Sequence, residues 1–355
     1  MVTSRRNPLL GAFALLVSLP ALAFAQGKPT VTVGGTGYLN YSYQLDTDSS
    51  LANPARGNNF DVDRSYITLR ARFDKGLSAR ITTDVDGRRA ASNQLTFRLK
   101  YGYLGWDPAG SPLGFKLGMI NTPVIGYIEE LWGYRMQGSV ALDRSGYLTS
   151  SDLGLSVDGS WAGDAVDLTA GIYNGEGYSR APGDQYKDLA ARVSVRLLET
   201  DKGGATGGLR LTGFALVGKA NGGGDRQRFL GMLSYQDSRV SLGLEYAVTQ
   251  DSTAADAPET KGRVLSAWGV YALPSSPLAL LARVDRHDPN TEVDPAGPDL
   301  ASGERTRVIA GVSYQATPEV RFLVDADLLS LEHGSPNNAF NASRRTLYFH
   351  TEFKF

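Results

Sequence analysis

The sequence predicts an all-β protein: a transmembrane antiparallel β-barrel of about sixteen strands, with one long loop after the fifth strand folded inward. Three observations predict it. Segments of roughly ten residues alternate apolar and polar side chains, the period of a half-buried strand. The links between them alternate short and long, as the two ends of an outer-membrane barrel do. The first residues read as an export leader.

Composition fits that class. Of 355 residues, 41 are Gly and 17 are Tyr, with aromatics at 10 %. Aromatic side chains suit a pleated surface, and Gly suits its corners and bulges. A net charge of −1 with so many aromatics excludes a disordered chain.

At the N-terminus, Arg5 and Arg6 precede an apolar run from Leu9 to Leu22, and Ala23-Phe24-Ala25 stands before Gln26. A positive flank, a short apolar core and an A-x-A site describe a cleaved secretory leader. The run is shorter than the ~20 residues a spanning helix needs. The expected organisation is a signal peptide over 1–25 and an outer-membrane barrel over 26–355. Removing the leader leaves 34 basic against 37 acidic groups, so no basic footprint for nucleic acid remains. With no Cys, disulfides and thiol chemistry are excluded. His287, His333 and His350 show no metal-ligand spacing. No metal, cofactor or enzymatic activity is expected.

Strands are expected to begin near Thr30, Asn59, Gly76, Gln94, Pro112, Asp152, Asp164, Lys187, Gly207, Arg226, Ser238, Lys261, Ser276, Glu304, Pro318 and Arg344. The final one is clearest: Leu347, Phe349, Phe353 and Phe355 share one face, and Tyr348, His350, Glu352 and Lys354 the other. Tight links occur at 74–76, 107–111, 162–163, 236–238, 273–276 and 316–319, with a longer one at 199–208. Between them lie 46–58, 86–93, 122–151, 174–186, 250–260, 287–303 and 331–343, with a short one at 220–225. Soluble strands average only ~5–6 residues, and a propeller would repeat every ~40. An even strand number puts both termini at the short-turn end. No stretch from Thr30 onward reads as a useful amphipathic helix.

If apolar faces meet lipid and polar faces line the lumen, the lumen carries Arg70, Arg72, Arg80, Arg98, Lys100, Arg192, Arg196, Arg210, Arg226, Arg228, Arg263, Arg283, Arg307, Arg321 and Lys354. Acids on the same faces are fewer: Asp84, Asp86, Asp158, Asp167, Glu245, Asp285, Asp325, Asp327 and Glu352. Rings of Arg or Lys favour anions, and Arg suits carboxylate and phosphate oxygens. The 122–151 loop holds Ile125, Ile128, Leu131, Trp132, Tyr134 and Met136, too apolar for free solvation. Folded inward, its Glu129, Glu130, Arg135, Asp143 and Arg144 would set the charge of a constriction.

Residues 60–197 resemble the phosphate-selective porin family (porins O and P). The resemblance rests on FDVDRSYITLRARF at 60–73, GFKLGMINTPV at 114–124, RSGYLTSSDLGLSVDG at 144–159 and DLTAGIYNGEG at 167–177. It implies a sixteen-stranded, usually trimeric channel with an inward third loop, and an arginine-lined anion route at Arg64, Arg70, Arg72 and Arg144. The family's lysine cluster is missing from the 122–151 loop, which contains no Lys. A less selective pore for phosphate or other small anions is therefore expected. Expected partners are the lipid bilayer, lipopolysaccharide, small anionic solutes and two further copies of the chain. The rival expectation is a barrel acting as a surface enzyme or a structural or adhesive protein.

Overall fold

The computed structural model describes residues 29–47, 57–86, 95–292, 303–332 and 343–355. The leader at 1–25, His333 and parts of the links at 46–58, 86–93, 287–303 and 331–343 lie outside them.

Sixteen strands form one sheet: β1 (Thr30–Thr47), β2 (Asn58–Arg72), β3 (Leu77–Asp86), β4 (Thr96–Trp106), β5 (Leu113–Asn121), β6 (Ser151–Trp161), β7 (Val166–Tyr173) and β8 (Asp188–Leu198), then β9 (Gly208–Lys219), β10 (Asp225–Gln236), β11 (Val240–Asp251), β12 (Thr260–Ala272), β13 (Leu278–Asp288), β14 (Arg305–Gln315), β15 (Val320–Leu331) and β16 (Arg344–Lys354). Each begins within two residues of the position read from the sequence. All neighbours are antiparallel, and β1 closes on β16, so no described edge is left unpaired. Closure is tight at that seam. The rings of Phe353 and Phe355 lie over Gly37 and Gly35, where a Cβ would meet ring carbons at 2.3 and 2.2 Å. The short links gather at the end that holds Thr30 and Phe355, and the long links at the other.

Alternation sets what faces lipid. Val33, Leu69, Leu117, Leu211, Leu244 and Val324 are exposed on the outer wall, an apolar band of the kind a bilayer covers. No described helix is long and apolar enough to cross a membrane. A closed sixteen-strand cylinder with an apolar outer band is the architecture of an outer-membrane barrel.

The 122–150 segment turns inward. Its neck is closed by the Thr122 N–H donating to the Ser150 carbonyl at 3.1 Å. It carries α1 (Ile125–Trp132), a helical turn at Arg135–Gln137 and α2 (Ala141–Arg144). The sequence reading had no helix here, because α1 spans only eight residues and its N-cap makes no side-chain bond. Gly133, at φ 70°, ends it in the left-handed region, its N–H donating to Glu129 O at 2.9 Å.

One expectation is corrected. Lumen faces are not polar throughout: Phe214, Leu216, Leu230, Met232, Val264, Trp268, Leu281, Ile309 and Leu323 point inward and are buried. They pack with Ile125, Ile128, Leu131 and Trp132 of the inward segment into an apolar core inside the barrel. The reason is area: an apolar helix inside a lumen is stabilised only where the wall facing it is apolar too.

Candidate permeation pathway

The inward segment leans on one wall. Its backbone carbonyls accept hydrogen bonds from Arg192 of β8 (to Pro123, 2.8 Å), Ser241 of β11 (to Leu131, 2.6 Å), Arg283 of β13 (to Ser139, 3.1 Å) and Arg321 of β15 (to Gly133, 2.6 Å). The Tyr127 hydroxyl meets Ser194 of β8 at 2.9 Å, and the Tyr134 hydroxyl meets Ser313 of β14 at 2.7 Å. Trp132 packs against Trp268 of β12, ring centres 5.7 Å apart. That leaves a corridor along β1 to β4 and β16, bordered toward the long-loop end by β14 and β15 as well.

Two cavities occupy the corridor. The one toward the short-turn end, about 590 Å³, is bordered by Arg70, Arg80, Lys100, Arg135 and Lys354, with Glu129, Glu130 and Glu352 as its acids. The one toward the long-loop end, about 230 Å³, is bordered by Arg64, Arg135, Arg144, Arg307 and Arg344, with Asp63, Asp143 and Asp327. Each therefore has five basic side chains against three acidic ones. Arg135 borders both, which makes it the waist of the corridor; Glu129 holds its Nε at 2.8 Å.

Two bulges aim side chains here. Tyr38 pairs with Arg64 and Leu39 with Val62, so Asp63 is an extra residue and turns inward beside Arg64. Thr82 pairs with Tyr101 and Thr83 with Leu99, so Lys100 is extra and both Lys100 and Tyr101 are buried. A bulge redirects a side chain in this way without ending the ladder.

The other expected site residues are placed as follows. Arg64 Nη1 binds Asp84 at 2.7 Å, and Tyr178 of the 174–187 link joins the pair by donating to Asp84 at 3.1 Å. Arg98 lies 3.9 Å from Asp84 and 5.2 Å from the centre of the Tyr178 ring. Arg80 stacks 4.2 Å over Tyr101, and Lys100 sits 4.6 Å over Tyr66 while donating to its hydroxyl at 3.2 Å. Arg70 lines the inner cavity, and Arg72 is exposed at the strand end. Arg192 and Arg196 lie apart from the corridor: Arg192 binds Asp167 and the Pro123 carbonyl, and Arg196 binds the Gly163 carbonyl at 3.0 Å. In the loop, Glu130 accepts from Thr206 at 3.4 Å, Asp143 borders the outer cavity, and Arg144 donates to Gln137 at 3.1 Å.

Three placements differ from the sequence reading or were missed by it. Arg263 faces outward, 3.2 Å from Asp288, because Val264, Ser266 and Trp268 take the inward positions of β12. Arg305 and Arg344 were overlooked, although counting back in twos from Arg307 and from His350 places both on the inward face.

No family model and no curated protein matches the chain. Solved structures do match its fold. The anion-selective porin from Comamonas acidovorans superposes with a TM-score of 0.69 at 12 % identity, covering 92 % of this chain and 100 % of that one. Salmonella typhi OmpF in complex with daunomycin gives 0.67 at 14 % identity, over 92 % and 97 %. OmpT of Vibrio cholerae in its trimer form, an outer-membrane protein, gives 0.61 at 14 % identity, over 92 % and 99 %. At these identities the likeness establishes the barrel fold.

Proposed function

We propose that this chain is an outer-membrane porin through which small hydrophilic solutes diffuse, with a preference for anions. The observation that carries the reading is the waist at Arg135, flanked on both sides by cavities in which five cations border each space against three carboxylates. A positive lining lowers the Coulomb barrier to anions and raises it to cations. The lining mixes in carboxylates, which supports a general anion pore more than a phosphate-specific one. The anion-selective porin named above supports the anion preference, and the solved trimer form of OmpT supports a homotrimer; the exposed apolar band of the outer wall supports a seat in lipid and lipopolysaccharide.

Planar-bilayer reversal potentials test it. Under a KCl gradient the wild type is expected to favour chloride, more strongly near 0.1 M than near 1 M salt, because screening shortens from ~10 Å to ~3 Å. Arg135→Glu changes the waist by two charge units. At ~1 kcal/mol per unit charge across about 4 Å of water, the chloride and potassium barriers move by about 2 kcal/mol each in opposite senses, so at low salt the chloride-to-potassium permeability ratio should fall by roughly a thousandfold. A wild type that is silent or prefers potassium sinks the proposal.

A further inference from the structure

The inner cavity could continue toward the long-loop end in two directions, and among the described residues only one is open. It reaches Thr82 of β3 and Lys100 of β4. From there the corridor passes Arg135 into the outer cavity, beside Arg64. The other direction runs along β3 and β4 themselves. Their next inward residues are Asp84 and Arg98, which pair in register. Neither borders the outer cavity, and Asp84 is fully buried although its side chain points into the bore.

Tyr178, from the link between β7 and β8, covers that second direction. Its backbone N–H donates to the Ser151 carbonyl at the start of β6, at 3.1 Å. Its hydroxyl donates to Asp84 at 3.1 Å and accepts from Arg64 at 3.3 Å. The residue therefore bridges β6 to β2 and β3, across the inner faces of β4 and β5. Its ring completes the cover, with Arg98 5.2 Å and Lys100 6.0 Å from the ring centre. The stem of the link is fastened as well. The N–H of Asn174 donates to the Leu153 carbonyl at 2.9 Å, and that of Gly175 to Asp152 at 2.7 Å. Gly177, at φ 73°, bends the chain in the left-handed region, and a Cβ there would meet Thr149 Oγ1 at 2.5 Å. One end of the link is thus fixed to the neck of the inward segment, and the other is latched at Asp84.

We propose that Tyr178 is a specificity-determining residue of the channel: latched to Asp84, it closes the β3–β4 side of the bore, confines solutes to the way past Arg135, and so sets the largest solute that passes. Charge is sorted at Arg135 and size at Tyr178. A hydroxyl donating to a carboxylate makes a charge-assisted bond, stronger than one between neutral groups, which keeps the bridge shut. The tyrosine ring is uncharged, so its removal widens the bore without adding or deleting a charge in the lining. This inference rests on the channel reading and adds a size limit to it.

The test uses the full chain, with single-channel conductance measured in planar bilayers and solute entry measured by liposome swelling in arabinose and raffinose. Tyr178→Ala should raise conductance about twofold and the raffinose-to-arabinose rate ratio severalfold, as a wider bore requires. Tyr178→Phe keeps the ring and loses the latch, and should fall between that variant and the wild type. Because the chain has no Cys, Tyr178→Cys introduces a single thiol. Its conductance should also rise, and a bulky methanethiosulfonate reagent should bring it back toward the wild-type value, which loosened packing elsewhere would not do. Wild-type conductance and sugar ratio in Tyr178→Phe and Tyr178→Cys overturn the latch, whether or not Tyr178→Ala assembles, and so does a modified thiol that leaves the current unchanged. In both cases wild-type conduction would leave the channel reading standing; a wild type with no conductance overturns that reading, and this one with it.

Discussion

The two halves of the lumen solve opposite problems with the same alternating strands. Along β8 to β15 many inward positions are apolar or clamp a carbonyl of the 122–150 segment packed onto them, while Arg307 and Asp327 border open space toward the long-loop end. Along β1 to β4 and β16 they are Arg, Lys, Tyr, Thr and Glu, and space remains. An arginine on the first wall works as a fastener, and one on the second as part of a charged surface. Residue type alone does not distinguish the roles; what lies opposite does.

Three substitutions sharpen that contrast, beginning with the largest effect. Trp132 is 1 % exposed between the segment and β12, so Trp132→Ala should cost about 3–5 kcal/mol of packing. Thermal unfolding in detergent should move down, and single-channel conductance should rise as the segment loosens. Unchanged conductance would show that the apolar core does not hold the segment in place.

Next comes a pair of cations, one from each half. Arg192→Gln removes a charged clamp and should cost about 2–3 kcal/mol, with ion selectivity little altered. Lys100→Gln keeps a donor for Tyr66, should change stability by under ~1 kcal/mol, and should reduce the chloride preference severalfold. If the two variants gave the same selectivity shift, the division between fastening and lining would be wrong.

The smallest effect lies outside both halves, in the β10–β11 turn. The backbone N–H groups of Arg239 and Val240 donate to Asp237 at 2.7 Å each and hold its carboxyl below the usual range. A depressed carboxylate stabilises the fold above its unfolded pKa of ~3.9 and loses that contribution as pH falls through its folded value. Asp237→Asn should therefore cost under ~1 kcal/mol at pH 7, after solvent screening, and progressively less as pH falls below the unfolded value. A difference in unfolding temperature that persists in acid would exclude this cause.

Most of the barrel was legible in the sequence because a two-residue period and a short–long rhythm of links are local properties. The strand starts and the closing Phe face of β16 follow from them, and the inward course of the segment after β5 follows from its apolar content. What period cannot supply is which face looks inward when both are apolar. In β9, Arg210 and Thr212 mark the inward face, but Phe214 and Leu216 continue it with side chains as apolar as Leu209 and Leu211 opposite, and it is α1 that gives them apolar partners in the lumen. Arg263 shows the complementary difficulty. A charged residue near a strand end tolerates the outer wall when a carboxylate such as Asp288 stands beside it, so polarity there does not report direction. The pathway residues were legible as a set of inward cations, but not their sorting into fasteners and lining. That sorting depends on tertiary partners such as Pro123 and Asp167.

The inward segment is also a mechanical part. Between Pro123 and Tyr147 it is tied by hydrogen bonds to β8, β9, β10, β11, β13, β14 and β15, and by ring packing to β12. A thin-walled cylinder under the lateral pressure of a membrane fails by flattening into an ellipse, and a brace spanning the bore opposes that mode. Half of this cylinder is stiffened from within, so thermal breathing should concentrate in the unbraced arc, along the strands that border the open corridor.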